Sequence, residues 1–341
     1  MDDLCDSEPD IIHARIGFPH KTSTSFLVKF IALWMLSVTL FAAIAPPGVT
    51  KGLHRVYSLR QTGRWLLNPT ESGRFDASAL LSLSNGILLT VNDKSLPLCR
   101  IDLKTNGFAT VVPIPELFSL EAVREAVGNP RYAPDTEGIA VDEAGRIYIC
   151  TEGQRWIFRS EADGSGVTRL DIDWSPVKRW FNPKDGNAAW EGIAVGDGRL
   201  YLANERSVGR IVVVDLAKLK VIDDFQVAPA GKAARDIHYS DLCWWKGDLW
   251  VLCRESRCVL RVNPTTHSVI SEFDFAAIEL DKNNIYLSAL PFGFMEGLSV
   301  DDHSIWLAID NNGLPRRSAP TDFRGLLFRC SRPDLQPENE N

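Results

Sequence analysis

Five stretches of the chain share one alternation of apolar and polar positions. The clearest, DTEGIAVDEAGRIYICTEG at 135–153, holds two short β-rich runs joined by a polar turn, with acidic residues at both ends. WEGIAVGDGRLYLANERS at 190–207 and MEGLSVDDHSIWLAIDNNG at 295–313 repeat it. YSDLCWWKGDLWVLCRES at 239–256 is a degraded copy, and ASALLSLSNGILLTVNDKS at 77–95 a fainter one. Short runs of this kind, separated by Gly, Asp and Asn, read as β-hairpins. Glu137, Glu191, Asp241 and Glu296 follow one another at intervals of 54, 50 and 55 residues. A third β-like run follows each hairpin, and in all but the last copy a fourth follows that.

Four short strands recurring every fifty residues or so predict an all-β fold, a β-propeller of five four-stranded blades. A sixth blade built from 51–75 is left open. The last copy stops at its third strand, and HRVYSLR (54–60) is expected to supply the fourth and close the ring. Helical spacing occurs only around 115–128, which predicts one helix within a loop.

In a propeller the first strand of each blade lines the central channel and the second runs back. A residue entering the first and one leaving the second therefore emerge at the same mouth. These pairs are Glu137 with Glu152, Glu191 with Glu205, and Glu296 with Asp310. The faint copy offers Ser78 and Asn92, and the degraded one Asp241 with either Arg254 or Glu255. Crowded like charges need compensation. Either a hard cation such as Ca²⁺ supplies it through oxygen ligands, or Arg155, Arg206 and Arg254 do. An architectural reading stands beside the functional one: Gly138, Gly192 and Gly297 would allow crowded inner strands, and the glutamates would link blades. The loops entering the first strands, 115–136, 174–190, 228–240 and 276–295, are long and open on this mouth. His238 lies in one of them, placed either as a proton carrier or as an ordinary surface histidine.

Composition narrows the partners. The net charge of −7 over 341 residues excludes non-specific nucleic-acid binding. Residues 26–45 form an apolar run that predicts a signal anchor or a signal peptide. Ala43-Ile44-Ala45 resembles a cleavage site, but Pro46 should hinder the peptidase. The expected organisation is a cytoplasmic or disordered segment (1–25), the anchor or signal, a propeller domain (46–330) exported to the periplasmic or extracytoplasmic side, and a polar tail (331–341). Of seven cysteines, six follow the apolar run, and they are either paired or simply buried. Cys253 and Cys258 flank a tetrapeptide and are expected to face each other.

The sequence from DTEGIAVD through GRIYICTEG, and then EGLSVD with IWLAIDNN, resembles the esterase-like phytase domain family and the SdiA-regulated propeller family over residues 75 to 330. Lactonases of the gluconolactonase and paraoxonase type also place a Glu at the start of an inner strand to hold Ca²⁺. By that analogy Glu137, Glu191, Glu296 and Asp310 are the expected metal ligands. The pattern breaks where Ser240-Asp241 replaces Glu-Gly. The function implied is hydrolysis of a small-molecule ester or phosphoester, with His238 or Glu152 as base. The alternative is a non-catalytic propeller that binds a ligand or protein at the cell envelope. No nucleophile elbow, P-loop or HExxH motif is present.

Overall fold

The computed structural model describes residues 54–335 except 72, 94, 187, 207, 235–236 and 290–292. The apolar run at 26–45 and its flanks, and the last residues of the tail, lie outside the described residues. Among the described residues no helix is long and apolar enough to cross a membrane.

Two strands, β1 (Arg55–Ser58) and β2 (Gln61–Pro69), precede the repeats. The first blade is β3 (Ala77–Ser82), β4 (Leu88–Asn92), β5 (Ser95–Leu103) and β6 (Phe108–Pro113). The second is β7 (Thr136–Val141), β8 (Ile147–Thr151), β9 (Ile157–Ser160) and the short β10 (Thr168–Arg169). The third is β11 (Trp190–Gly196), β12 (Arg199–Asn204), β13 (Arg210–Asp215) and β14 (Lys220–Phe225). The fourth is β15 (Asp241–Trp245), β16 (Asp248–Cys253), β17 (Cys258–Val262) and β18 (Val269–Asp274). The fifth contributes β19 (Met295–Val300), β20 (Ser304–Ile309) and β21 (Leu326–Ser331). Each blade is an antiparallel meander in chain order. The inner strands pack in sequence, β3 on β7, β7 on β11, β11 on β15, β15 on β19 and β19 on β3, so the ring closes.

The core lies between blades, where alternate side chains of facing sheets leave water. Ala194 and Tyr201 of the third blade meet Leu242 and Val251 of the fourth. Trp250 and Phe273 of the fourth meet Leu298 and Leu307 of the fifth. In the loop between blades one and two, α1 (Leu120–Val127) forms where the helical spacing predicts it. Ser119 Oγ accepts the Ala122 N–H at 3.2 Å, and Gly128 ends the helix in the left-handed conformation.

Closure differs from expectation. The fourth strand of the last blade is β2, not 54–60: Trp65 lies opposite Leu327 and Leu66 opposite Leu326, antiparallel. The same strand continues parallel to β6, with Leu67 opposite Ala109, and so joins the fifth blade to the first. Residues 55–58 pair instead with β18 as a fifth strand of the fourth blade. Among the described residues of 51–75 no sixth blade forms. The apolar content decides this. Leu67 is 1% exposed and Trp65 packs at a tilt against Trp306, ring centroids 5.9 Å apart, whereas Val56 stays 51% exposed. Only Tyr57 and Leu59 of the earlier segment face inward.

The six described cysteines, Cys99, Cys150, Cys243, Cys253, Cys258 and Cys330, are free thiols. Cys253 and Cys258 do face each other across β16 and β17.

Four of the five inner strands carry a β-bulge at one position. Register shifts occur between Ala77 and Ala79, Thr136 and Gly138, Trp190 and Gly192, and Met295 and Gly297. The extra residue is Ser78, Glu137, Glu191 or Glu296, which the bulge frees from the ladder. The glycine after it permits close approach. A Cβ on Gly192 would lie 2.6 Å from the Cα of Asp241 and 2.7 Å from the Leu242 nitrogen. Gly192→Ala should therefore cost about 1–3 kcal/mol, read as a lowered urea midpoint. Gly153→Ala, where nothing lies within 4 Å, is the matched control.

Candidate functional site

A shared backbone hydrogen bond sets the register of the mouth. Glu152 N–H donates to the Asp135 carbonyl at 2.9 Å, Glu205 N–H to Ala189 at 3.0 Å, and Asp310 N–H to Phe294 at 3.1 Å. In the first blade the corresponding donor is Asp93, to Asp76 at 3.3 Å. The residue leaving the second strand there is Asp93 rather than Asn92, which still pairs with Ala77 inside the ladder.

The fourth blade departs further. Its inner strand has no bulge, and Asp241 lies opposite Leu252, where the second, third and fifth blades place glycine and the first places Ala79. Asp241 is therefore below the mouth, in the throat of the ring. Its carboxylate accepts the N–H of Leu242 at 2.8 Å and, across to β19, that of Leu298 at 2.7 Å. Burial pushes its carboxyl well above the ordinary range, and these backbone donors pull it back. Of the two choices for the second position, Arg254 occupies it, while Glu255 turns toward His238.

Glu137, Glu152, Glu191, Glu205, Glu296 and Asp310 are all buried at this mouth, together with Asp76 and Asp93. They divide into two halves. On the side of blades three to five, Arg254 donates to Glu205 Oε1 at 2.6 Å and also to Glu296. Arg206 pairs with Glu205 and reaches Asp185 at 3.2 Å. Burial lifts Glu205 to about 7 against the pull of both arginines. Burial also raises Glu296, and Arg254 opposes it. Glu191 is pushed well up by burial and by Glu205, Glu137 and Glu296. For Arg254, burial disfavours the charge, but Glu296, Glu191 and Glu205 outweigh it and keep the guanidinium protonated.

The other half centres on Asp93. Carboxylate oxygens of Asp76, Asp93 and Asp310 lie within 4.8 Å of one another, and so do those of Asp93, Asp135 and Glu137. Arg74 pairs with Asp76, and the Asn312 N–H donates to Asp310 at 2.7 Å. Burial, Glu296 and Asp76 push Asp310 up to about 9. Burial, then Glu296, Asp135 and Glu152, raise Glu137 well above its ordinary value. An all-carboxylate donor set of this kind suits a hard divalent cation rather than a thiophilic one.

Of the four ligands expected from sequence, Glu137 and Asp310 fall in these groups, while Glu191 and Glu296 stand on the arginine side. Asp76, Asp93 and Asp135 are additions. Their signal is a second alignment, in which Asp76-Ala77-Ser78-Ala79 matches Asp135-Thr136-Glu137-Gly138. His238 Nδ1 lies 3.2 Å from Glu255. Burial lowers its pKa, Glu255 opposes, and Arg254 and Arg206 lower it further. The Arg155 guanidinium donates to the Ala188 carbonyl and lies over Phe181, 4.1 Å from the ring centroid.

The Phytase-like family, described by the esterase-like activity of phytase, matches residues 73–313. The chain belongs to that family. The match runs from just before Asp76 to just after Asp310, so it contains every acidic residue of the mouth in this Phytase-like chain. No curated protein sequence shows significant similarity. Among solved structures, the glutaminyl cyclase of Myxococcus xanthus superposes with a TM-score of 0.53 at 14% identity, over 81% of this chain and 97% of that one. Virginiamycin B lyase from Staphylococcus aureus gives 0.39 at 11%, over 74% and 65%. The PQQ-bound aldose sugar dehydrogenase of Streptomyces coelicolor gives 0.40 at 13%, over 79% and 98%. At these identities the first likeness supports the fold alone.

Two outcomes follow from the electrostatics. Carboxyls with folded pKa values raised to about 7 and about 9 stabilise the fold fully below the ordinary carboxylate range. That contribution is lost as pH rises through those values. In chelator, the melting midpoint of the Phytase-like chain should fall between pH 5 and pH 9. Arg254→Met should cost about 3–5 kcal/mol at pH 8 and less at pH 5, where Glu205 and Glu296 take up protons. Urea unfolding of wild type and variant at the two pH values measures the difference.

Proposed function

We propose that the mouth is the active site of a metal-assisted hydrolase of a small-molecule ester or phosphoester. The observation that carries this reading is the pair of carboxylate groups sharing Asp93, buried and crowded with Arg74 alongside. Asp76, Asp93, Asp135, Glu137 and Asp310 would hold a hard divalent cation, with Ca²⁺ the ion the oxygen donors suit. When bound, such an ion supplies Lewis-acid polarisation of a substrate oxygen and lowers the pKa of a water. Glu152, at the same rim, is placed to accept a proton from the attacking water. His238, kept neutral near pH 7 by its lowered pKa, is the other acceptor, on the arginine side. Family membership supports ester chemistry.

The Arg254 network favours a second reading for its own half of the mouth. Glu205 and Glu296 are compensated from within, so they serve architecture and the shape of a binding surface. If that description held for the whole mouth, the propeller would bind without catalysing. The apolar run at 26–45 supports export and attachment to a membrane, with the propeller on the extracytoplasmic side.

Thermal melting of the full-length protein with Ca²⁺ and with EDTA tests the metal. Saturation at a hundred times Kd should add about 2.7 kcal/mol. The rise should be larger at pH 8 than at pH 5, because protons compete for the same oxygens. Asp93→Asn should abolish the response, and with it hydrolysis of p-nitrophenyl esters and phosphoesters. If neither Ca²⁺, Mg²⁺ nor Mn²⁺ moves the midpoint, the metal reading fails. Ion binding without turnover of any ester would leave the binding function.

A further inference from the structure

Beside the acidic mouth lies a cavity of about 540 Å³ whose lining carries two basic side chains, Arg155 and Lys178, as well as Asp173 and Asp185. One wall is Gly153, Gln154 and Arg155, the residues that follow β8 as it leaves the blade. The other comes from the long loop that enters β11, including Trp174, Lys178 and Phe181. Arg155 is the unusual member. It holds a left-handed backbone, φ 55°, which costs a non-glycine residue about 1 kcal/mol. Its N–H donates to the Glu152 carbonyl at 3.0 Å, and its carbonyl accepts from Trp190 Nε1 at 3.1 Å. The two bonds keep the side chain against the cavity wall.

The guanidinium there has aromatic neighbours and, among the described residues, no ion-pair partner. Phe181 and Trp190 lie 4.1 and 5.7 Å from its central carbon. One Nη donates to the Ala188 carbonyl at 2.5 Å, and Nε has no partner. Burial lowers its pKa to about 10, with Glu152 opposing at longer range. The two carboxylates lining the cavity are already engaged. Asp185 accepts from Arg206 at 3.2 Å, and Asp173 accepts both the Ser175 N–H and its hydroxyl at 2.9 Å. Lys178 adds a second positive charge. A half-buried arginine stays charged at every physiological pH. Its charge is met by a carbonyl, two ring faces and the longer-range pull of Glu152.

We propose that this cavity is an oxyanion-binding subsite. It takes the carboxylate or phosphate of a small molecule at Arg155 and Lys178 and seats that molecule's apolar body against Trp174 and Phe181. The planar guanidinium suits a two-oxygen acceptor, and the rings provide the flat apolar surface that an aryl or acyl group would cover. The site does not depend on a cation at the mouth, so it stands or falls separately from the hydrolase reading.

The test is calorimetric titration of the full-length protein in EDTA with inorganic phosphate and, separately, with benzoate. Wild type should bind at least one of them. Phosphate alone would assign a phosphate-bearing ligand, and benzoate alone a carboxylate-bearing one. Arg155→Gln should weaken that binding at least tenfold and Lys178→Gln several-fold, while Asp93→Asn binds as wild type does. Without anion, Arg155→Gln should melt at or above the wild-type midpoint, because a charge without an ion pair has been removed. A purely packing role would lower it. Arg155→Lys keeps the charge without the fork and serves if the glutamine variant does not fold; it should weaken benzoate binding at least fivefold. Binding of neither anion by wild type, or equal binding by wild type and Arg155→Gln, overturns the proposal.

Discussion

The molecule is organised by how closely five strands crowd around one axis. At Gly192 there is no room for a methyl group, because the backbone of Asp241 already fills that space. The same closeness obtains at Gly138, where a Cβ would meet Cys150 Sγ and Ile193 Cγ2 at 2.8 Å. A ring this narrow forces whatever emerges from its inner strands into a small volume. Bulges at four of those strands then direct the emerging residues outward from the ladder. Buried acids brought together so tightly rise in pKa, and every later feature of the mouth answers that crowding.

The answers differ around the circle. Where the fourth blade contributes Arg254, the carboxylates beside it are paired internally and the arrangement resembles a buried structural network. Such networks are costly to break and of uncertain net benefit to stability. Where the first blade contributes Asp93, carboxylates of three blades gather around it, an oxygen donor set that suits a hard cation. One repeat has thus yielded opposite electrostatics from equivalent positions, and the break in symmetry gives the mouth a defined acidic side.

The hairpin repeat, the five-unit count and the convergence of Glu137, Glu191, Glu296 and Asp310 on one end of the channel are legible from spacing alone, since strand length and turn chemistry are local. What spacing could not settle was register. Counting 14 residues from Ser78 lands on Asn92, whereas the backbone bond to Asp76 selects Asp93. Counting by charge put Asp241 at the mouth, whereas an unbulged strand leaves it in the throat, holding the Leu298 N–H. The choice between Arg254 and Glu255 is decided by the pairing of Asp241 with Leu252, a register that spacing does not give. The closing strand was misplaced by a few residues for a related reason. Both 54–60 and 61–69 have strand character, and only packing against Trp306 and Ala109 distinguishes them.

That closing strand also imposes an order on assembly. β2 is synthesised before any blade, yet its antiparallel partner β21 follows all the other described strands in chain order. Until then one hydrogen-bonding edge of β2 and the ring of Trp65 lack their final neighbours, and blade five cannot join blade one. A nascent chain therefore carries an open arc of sheets whose two exposed ends are complementary to each other. Losing β2 would remove more than one edge, because the first and fifth blades are joined through its nine residues.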